Sequence, residues 1–286
     1  MGRAYQFIFF DGPYRVILWD QALLEKPIGF LFGITWEQYA TSFRIGEIIE
    51  YCQVGTGVIF FIAGVAAMAN RGRLFSRLII GISVFLLFIL YFLELKDNFF
   101  RLGNFIEHST QLLTPVFLLM LTSGRSRYFL LAGKVAVALT FIGHGLYAVG
   151  YYPRPGRFVD LVIGSLGCSE ETAIYIITVA GVIDFIISLG IFFPGVSILF
   201  LKYMVFWGGL TAVSRLTADF NFDFLWSSLH QSLYLVAYRL CHALLPLALL
   251  FYEQLEAKSH EIFSGSVKSD SDHPRERVPQ KAGWIE

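Results

Sequence analysis

The 286-residue sequence is short of charge. Asp, Glu, Lys and Arg make up 15% of it, against about 25% in an ordinary globular domain. What charge there is cancels, because 22 basic and 22 acidic residues leave a formal net charge of +0. With no basic excess there is no electrostatic footprint for a polyanion, which excludes nucleic acid as a partner. Cysteine is also scarce. Cys52, Cys168 and Cys241 are far apart and form no CxxC, so neither a disulfide framework nor a zinc knuckle is indicated. GxSxG, HExxH, a phosphate-binding P-loop and a dinucleotide glycine fingerprint are all missing, and with them the usual signatures of hydrolase, metalloprotease and nucleotide chemistry.

Apolar residues are abundant. The hydrophobic set reaches 56%, Phe alone occurs 29 times and the mean hydropathy is +0.61. Since roughly 20 mostly apolar residues carry a helix across a bilayer core, this composition implies an all-α, polytopic membrane bundle. About seven spans can be drawn: from near Arg44 to Ala69, Phe75 to Leu95, Phe105 to Thr122, Phe129 to Gly150, Thr172 to Phe193, from Pro194-Gly195 to near Ala218, and Leu225 to Leu255. The bundle then occupies residues 44–258. Residues 1–43 are aromatic but broken by Asp11, Gly12, Pro13, Arg15 and Asp20. They read either as one or two short amphipathic helices in the headgroup layer or as a soluble cap over the helix ends. Residues 259–286 are polar and rich in Ser and Pro, the composition of a disordered tail.

Loop charge sets the orientation. Arg71, Arg73 and Arg77, then Arg125 and Arg127, then Lys202 and the tail bases fall on one side, and the opposite loops carry Asp97, Asp160, Glu170, Glu171, Asp219 and Asp223. The C-terminus is therefore expected in the cytoplasm and the N-terminal segment outside, in a membrane of the bacterial inner (plasma) type.

Ionisable groups inside a bilayer cost about 2.5–3.5 kcal/mol each on insertion scales and usually face the bundle interior. Span order places Glu47, Glu50, Glu107, His108, His144, Arg215 and His230 in the outer half, with Tyr234 on the same helix face as His230. Those eight residues form the expected ligand-binding set. Each also has a plainer reading, as an interfacial side chain or a structural hydrogen-bonding group. Asp184, mid-way along the fifth span, needs a partner. Arg239 is the expected one, since Lys134 can reach the inner surface.

The stretch around residues 129–218 carries a family likeness. Its fourth span ends in His144-Gly145-Leu146 and is followed by Pro153 and the outer segment RPGRFVDLVIGSLGCSEETA. Next come AGVIDFIISLGIFF, with Gly181 and Asp184, and LKYMVFWGGLTAVSRL. This stretch resembles the DoxX-like integral membrane protein family. The resemblance implies a membrane subunit associated with quinone or thiol redox chemistry, with His144 and Asp184 as the polar positions carried over and a membrane or periplasmic redox protein as partner. A quinone head group wants a donor or acceptor at each carbonyl and a route for protons, which His144 or His230 with Glu50 or Glu107 could supply. Two other readings stay open. One is a b-type haem or metal held by two of His108, His144 and His230. The other is a non-enzymatic helper that binds cargo or lipid. Membrane lipids are partners under every reading.

Overall fold

The computed structural model describes residues 1–69, 74–122, 128–218 and 220–271, with side chains up to Lys258. Among these residues every regular element is helical. In chain order they are α1 (Gly2–Phe9), α2 (Arg15–Leu18), α3 (Gln21–Phe32), α4 (Trp36–Ala40), α5 (Phe43–Ala69), α6 (Leu74–Asp97), α7 (Leu102–Glu107), α8 (Ser109–Thr122), α9 (Phe129–Ala148), α10 (Gly156–Leu166), α11 (Glu170–Gly190), α12 (Pro194–Thr217), α13 (Leu225–Arg239) and α14 (Cys241–Ser271). Six stretches are long and apolar enough to cross a membrane: α5, α6, α9, α11, α12 and the run Phe222–Lys258. Helix α8 is apolar but shorter. The chain is an all-α bundle of integral-membrane type. Arg71, Arg73, Arg125, Arg127 and Asp219, which entered the orientation argument, lie outside the described residues. Arg77 is described, and it donates to the Thr122 carbonyl at the end of α8 (3.1 Å).

Two apolar cores hold the bundle. The larger joins α8, α9, α11, α12 and α14 through Phe117, Val137, Phe141, Ile191, Leu201, Met204 and Leu249. The smaller joins α1, α5 and α6 through Phe7, Phe60, Leu90 and Tyr91. Close helix approach rests on glycine. A Cβ on Gly181 would stand 2.7 Å from the Ala148 methyl, so α9 and α11 meet backbone to backbone. At Gly208 a Cβ would run into the His242 carbonyl, which brings α12 against the start of α14.

Helix α1 is inserted among α5, α6 and α13, with Phe7 fully buried. Gly57 and Gly64 of α5 face Ala4 to Ile8 and Met1 respectively. Helix α1 therefore runs antiparallel to α5 and carries Arg3 into the bundle. Farther along, α3 ends in the exposed Phe30, Leu31 and Phe32. At the other end of the chain α14 runs on to Ser271. Residues 272–286 lie outside the described residues.

Two of the expected spans are interrupted. The third is split into α7 and α8 at His108, and the seventh into α13 and α14 at Leu240. Breaking a helix at membrane depth frees backbone groups that lipid cannot satisfy, so such breaks persist only where protein groups take over. At the first break the Thr110 amide is taken by the Thr140 hydroxyl of α9 (3.0 Å). Both breaks sit beside the polar cluster described next.

Candidate functional site

Polar side chains from six helices converge at the centre of the bundle. One branch is a row of acids and bases. His144 Nδ1 on α9 stands 3.3 Å from Glu107 Oε2, and Glu107 Oε1 is 3.8 Å from His108 Nδ1. His108 Nε2 is 3.5 Å from Glu94 Oε2 on α6, and Glu94 Oε1 is 3.2 Å from the Arg3 guanidinium. His108 is further fixed by stacking on Tyr91 and by a 2.7 Å contact from Nδ1 to the Asn104 carbonyl. The row exists because α7 ends against Gly143. A Cβ there would lie 2.6 Å from the Glu107 amide nitrogen, so only glycine lets the end of α7 come this close to α9.

The second branch centres on His242, at the start of α14. Its Nδ1 is 2.7 Å from the Thr110 hydroxyl and its Nε2 is 3.2 Å from Gln111 Nε2. Gln111 Oε1 accepts from the Tyr91 hydroxyl (2.6 Å) and from Arg3 (3.4 Å). That acceptance fixes the orientation of the amide, so its NH2 donates to His242 Nε2, and His242 Nδ1 donates to Thr110. The rings of His144 and His242 meet edge to face, 5.3 Å apart, and link the branches. Arg3 also lies over the Tyr238 ring, 4.1 Å from its centroid.

Beside this network lies a cavity of about 260 Å³ between α9, α10, α11, α12 and the α13–α14 break. Phe141, Phe158, Trp207 and aliphatic side chains form most of its wall. Five ionisable groups interrupt that apolar lining: His144, His242, Asp184, Arg215 and Arg239. Among the described residues no group bonds His144 Nε2, the nitrogen left over once Nδ1 faces Glu107. Helix α10 closes one side, packed by Gly164 against Ala218. A second cavity of about 230 Å³ lies beyond the network, with Arg3, Tyr91, Gln111, Tyr238 and Cys241 among its lining.

The expected set divides. Glu107, His108, His144 and Arg215 are brought together around the network and cavity. Glu47 and Glu50 are not. Glu50 is exposed, Glu47 is half-buried, and neither reaches the network. Their i, i+3 spacing placed them on one face of α5, but the face toward the bundle is the one bearing Gln53, Gly57 and Phe60. His230 and Tyr234 are also elsewhere. His230 is exposed and bonds the Tyr5 hydroxyl, and Tyr234 stacks on Phe10, so this pair receives α1 rather than a ligand. Of the three imidazoles from which a haem pair was expected, His230 lies away from His108 and His144, and the facing rings are those of His144 and His242. Among the described residues no group of three or more His, Cys, Asp or Glu could hold a metal ion.

Asp184 and Arg239 line the same cavity but form no ion pair. Asp184 is 3% exposed, and its Oδ1 has no partner among the described residues; Arg239 Nε has none either. Lys134 is buried among protein partners. It is 2.8 Å from Ser197 Oγ and 3.2 Å from Glu253 Oε1, a separate buried pair between α9 and α14. The sequence reading missed Arg3, Gln111, Tyr91, Thr110 and His242 as members of the network. Pattern offers a signal for one of them: His242 lies about midway along the expected seventh span, at a depth where an imidazole needs partners.

No family model matches the chain, and neither a curated protein nor a solved structure matches it.

Proposed function

We propose that this chain is an integral membrane protein that binds a membrane-soluble amphiphile, its hydrogen-bond-accepting head held in the cavity beside His144. The observation that carries this reading is the cavity itself: aromatic and aliphatic walls suited to hydrocarbon, with a few convergent donors at fixed positions. Leu166 and Leu210 belong to its lining and are 64% and 48% exposed, which supports a side opening through which a tail leaves toward lipid. In this reading α7–α8 count as a seventh crossing, the C-terminus is cytoplasmic, and α3 with its exposed aromatic end rests in the headgroup layer of a bacterial inner membrane.

A second reading is favoured by the acid–base row. His144, Glu107, His108 and Glu94 lead away from the cavity wall in steps of 3.3 to 3.8 Å. A quinone is the amphiphile whose chemistry calls for protons as well as hydrogen bonds, and a quinone-linked redox subunit of DoxX-like type, working with a membrane or periplasmic redox protein, fits that arrangement. Both readings are tested on the purified chain in neutral detergent. Organic extraction followed by mass spectrometry is expected to recover a stoichiometric amphiphile, and decylubiquinone is expected to quench Trp207 fluorescence if the head is a quinone. Loss of quenching in His144→Ala supports the quinone reading. Absence of any co-purifying or added amphiphile refutes the binding role.

A further inference from the structure

Arg215 and Arg239 enter the cavity from different helices and converge. Arg215 Nη1 donates to the Thr211 carbonyl one turn back on its own helix (2.8 Å), so its guanidinium lies at the level of Thr211. Gly208 abuts the His242 backbone. Arg239 precedes His242 by three residues, and α14 runs against α12 in the opposite sense. Arg239 and Thr211 line the same cavity as Arg215.

Among the described residues no carboxylate lies within ion-pair distance of either guanidinium, and Glu107 is engaged by two histidines. Arg215 is 5% exposed, so it does not escape to water, and Arg239 Nε is buried without a partner. Asp184 does not offset them. Its side chain lines the same cavity but forms no ion pair with either guanidinium, and its Oδ1 has no partner among the described residues. Two like charges held together in an apolar wall are unfavourable unless something anionic sits between them. Guanidinium forks match the paired oxygens of a carboxylate or phosphate.

Resting on the amphiphile reading above, we infer that the head group bound between Arg215 and Arg239 carries a full negative charge: a phosphate or carboxylate attached to a hydrocarbon tail. The tail follows the apolar wall past Leu210 and Leu166, and the anion takes the guanidinium donors that lack protein partners. His144 Nε2 is a further donor or acceptor for the same head.

The test uses the purified full chain in neutral detergent, with didecanoyl phosphatidic acid, decanoate, neutral didecanoylglycerol, decylubiquinone and inorganic phosphate as probes. The two acids are expected to bind at least about tenfold more tightly than didecanoylglycerol, the equivalent of one lost charge-assisted contact. Arg215→Gln and Arg239→Gln should each remove that preference, and Arg239→Lys should keep part of it. Should the Gln variants fail to fold, the ratio of acidic to neutral binding on the unaltered chain decides alone. Equal binding of didecanoylglycerol or decylubiquinone overturns the charge inference and leaves the amphiphile reading standing. Competition by inorganic phosphate at the same concentration as phosphatidic acid overturns the lipid source in favour of a free anion. No binding of any tailed probe overturns the reading on which the inference rests.

Discussion

Gly143→Ala isolates the contact on which the acid–base row depends. The added methyl would stand 2.6 Å from the Glu107 amide nitrogen and 2.8 Å from its Cα, and ordinary contact begins near 3.4 Å. Both obstructing atoms are backbone, so no side-chain rotation relieves them. The end of α7 must retreat by about 0.8 Å or α9 must bend, and overpacking of this kind costs roughly 1–3 kcal/mol. The same retreat stretches the 3.3 Å approach of His144 to Glu107 to about 4 Å, beyond hydrogen-bonding range. Gly81→Ala is the control. It also lies within a long apolar helix, but nothing stands within 4 Å of its added methyl. Reversible unfolding in mixed micelles should show Gly143→Ala destabilised by the stated amount and Gly81→Ala unchanged or slightly stabilised by its better helix propensity. Infrared difference spectroscopy across pH should show a carboxylate band displaced in Gly143→Ala only. If the two variants unfold alike and the band does not move, the reasoning from backbone contact to the His144–Glu107 pair is wrong.

Two more predictions concern other parts of the molecule. Lys134→Met should destabilise the bundle by several kcal/mol, roughly 3–5 for a fully buried pair and less here because Glu253 keeps 17% of its side chain exposed. The double variant Lys134→Met/Glu253→Leu should recover part of that loss in the same unfolding assay, and a double variant no better than the single one would show that the pair does not matter. At the C-terminal end of α6, Asp20 accepts from Lys96 at 2.6 Å, and this bond holds the Asp20 carboxyl below its ordinary value of 3.8. A lowered carboxyl stabilises the folded state above its unfolded pKa and loses that contribution as pH falls through the folded one. Hydrogen-exchange protection factors in α2 and α3, with the intrinsic pH dependence divided out, should therefore fall below about pH 4 in the native chain, and Asp20→Asn should show the same protection on both sides of that pH.

Composition and run length were enough to show an all-α membrane bundle, because the cost of apolar area in water and of charge in lipid acts on each residue regardless of its neighbours. The same rule marked Glu107, His108, His144 and Arg215 as residues that must meet polar company. Sequence could not say which company. The face of α5 that turns inward is decided by where Gly57 and Gly64 admit α1, and that choice leaves Glu50 outside and brings in Arg3. Helix breaks at His108 and Leu240 carry no proline or glycine; beside the first the Thr140 hydroxyl takes the Thr110 amide, and beside the second the Cys241 thiol donates to the Tyr238 carbonyl. Asp184 and Arg239 looked like natural partners by depth alone, yet they line one cavity without forming an ion pair. Depth in a membrane is a one-dimensional property that a sequence carries, whereas pairing depends on rotation and register between helices, which only their packing fixes.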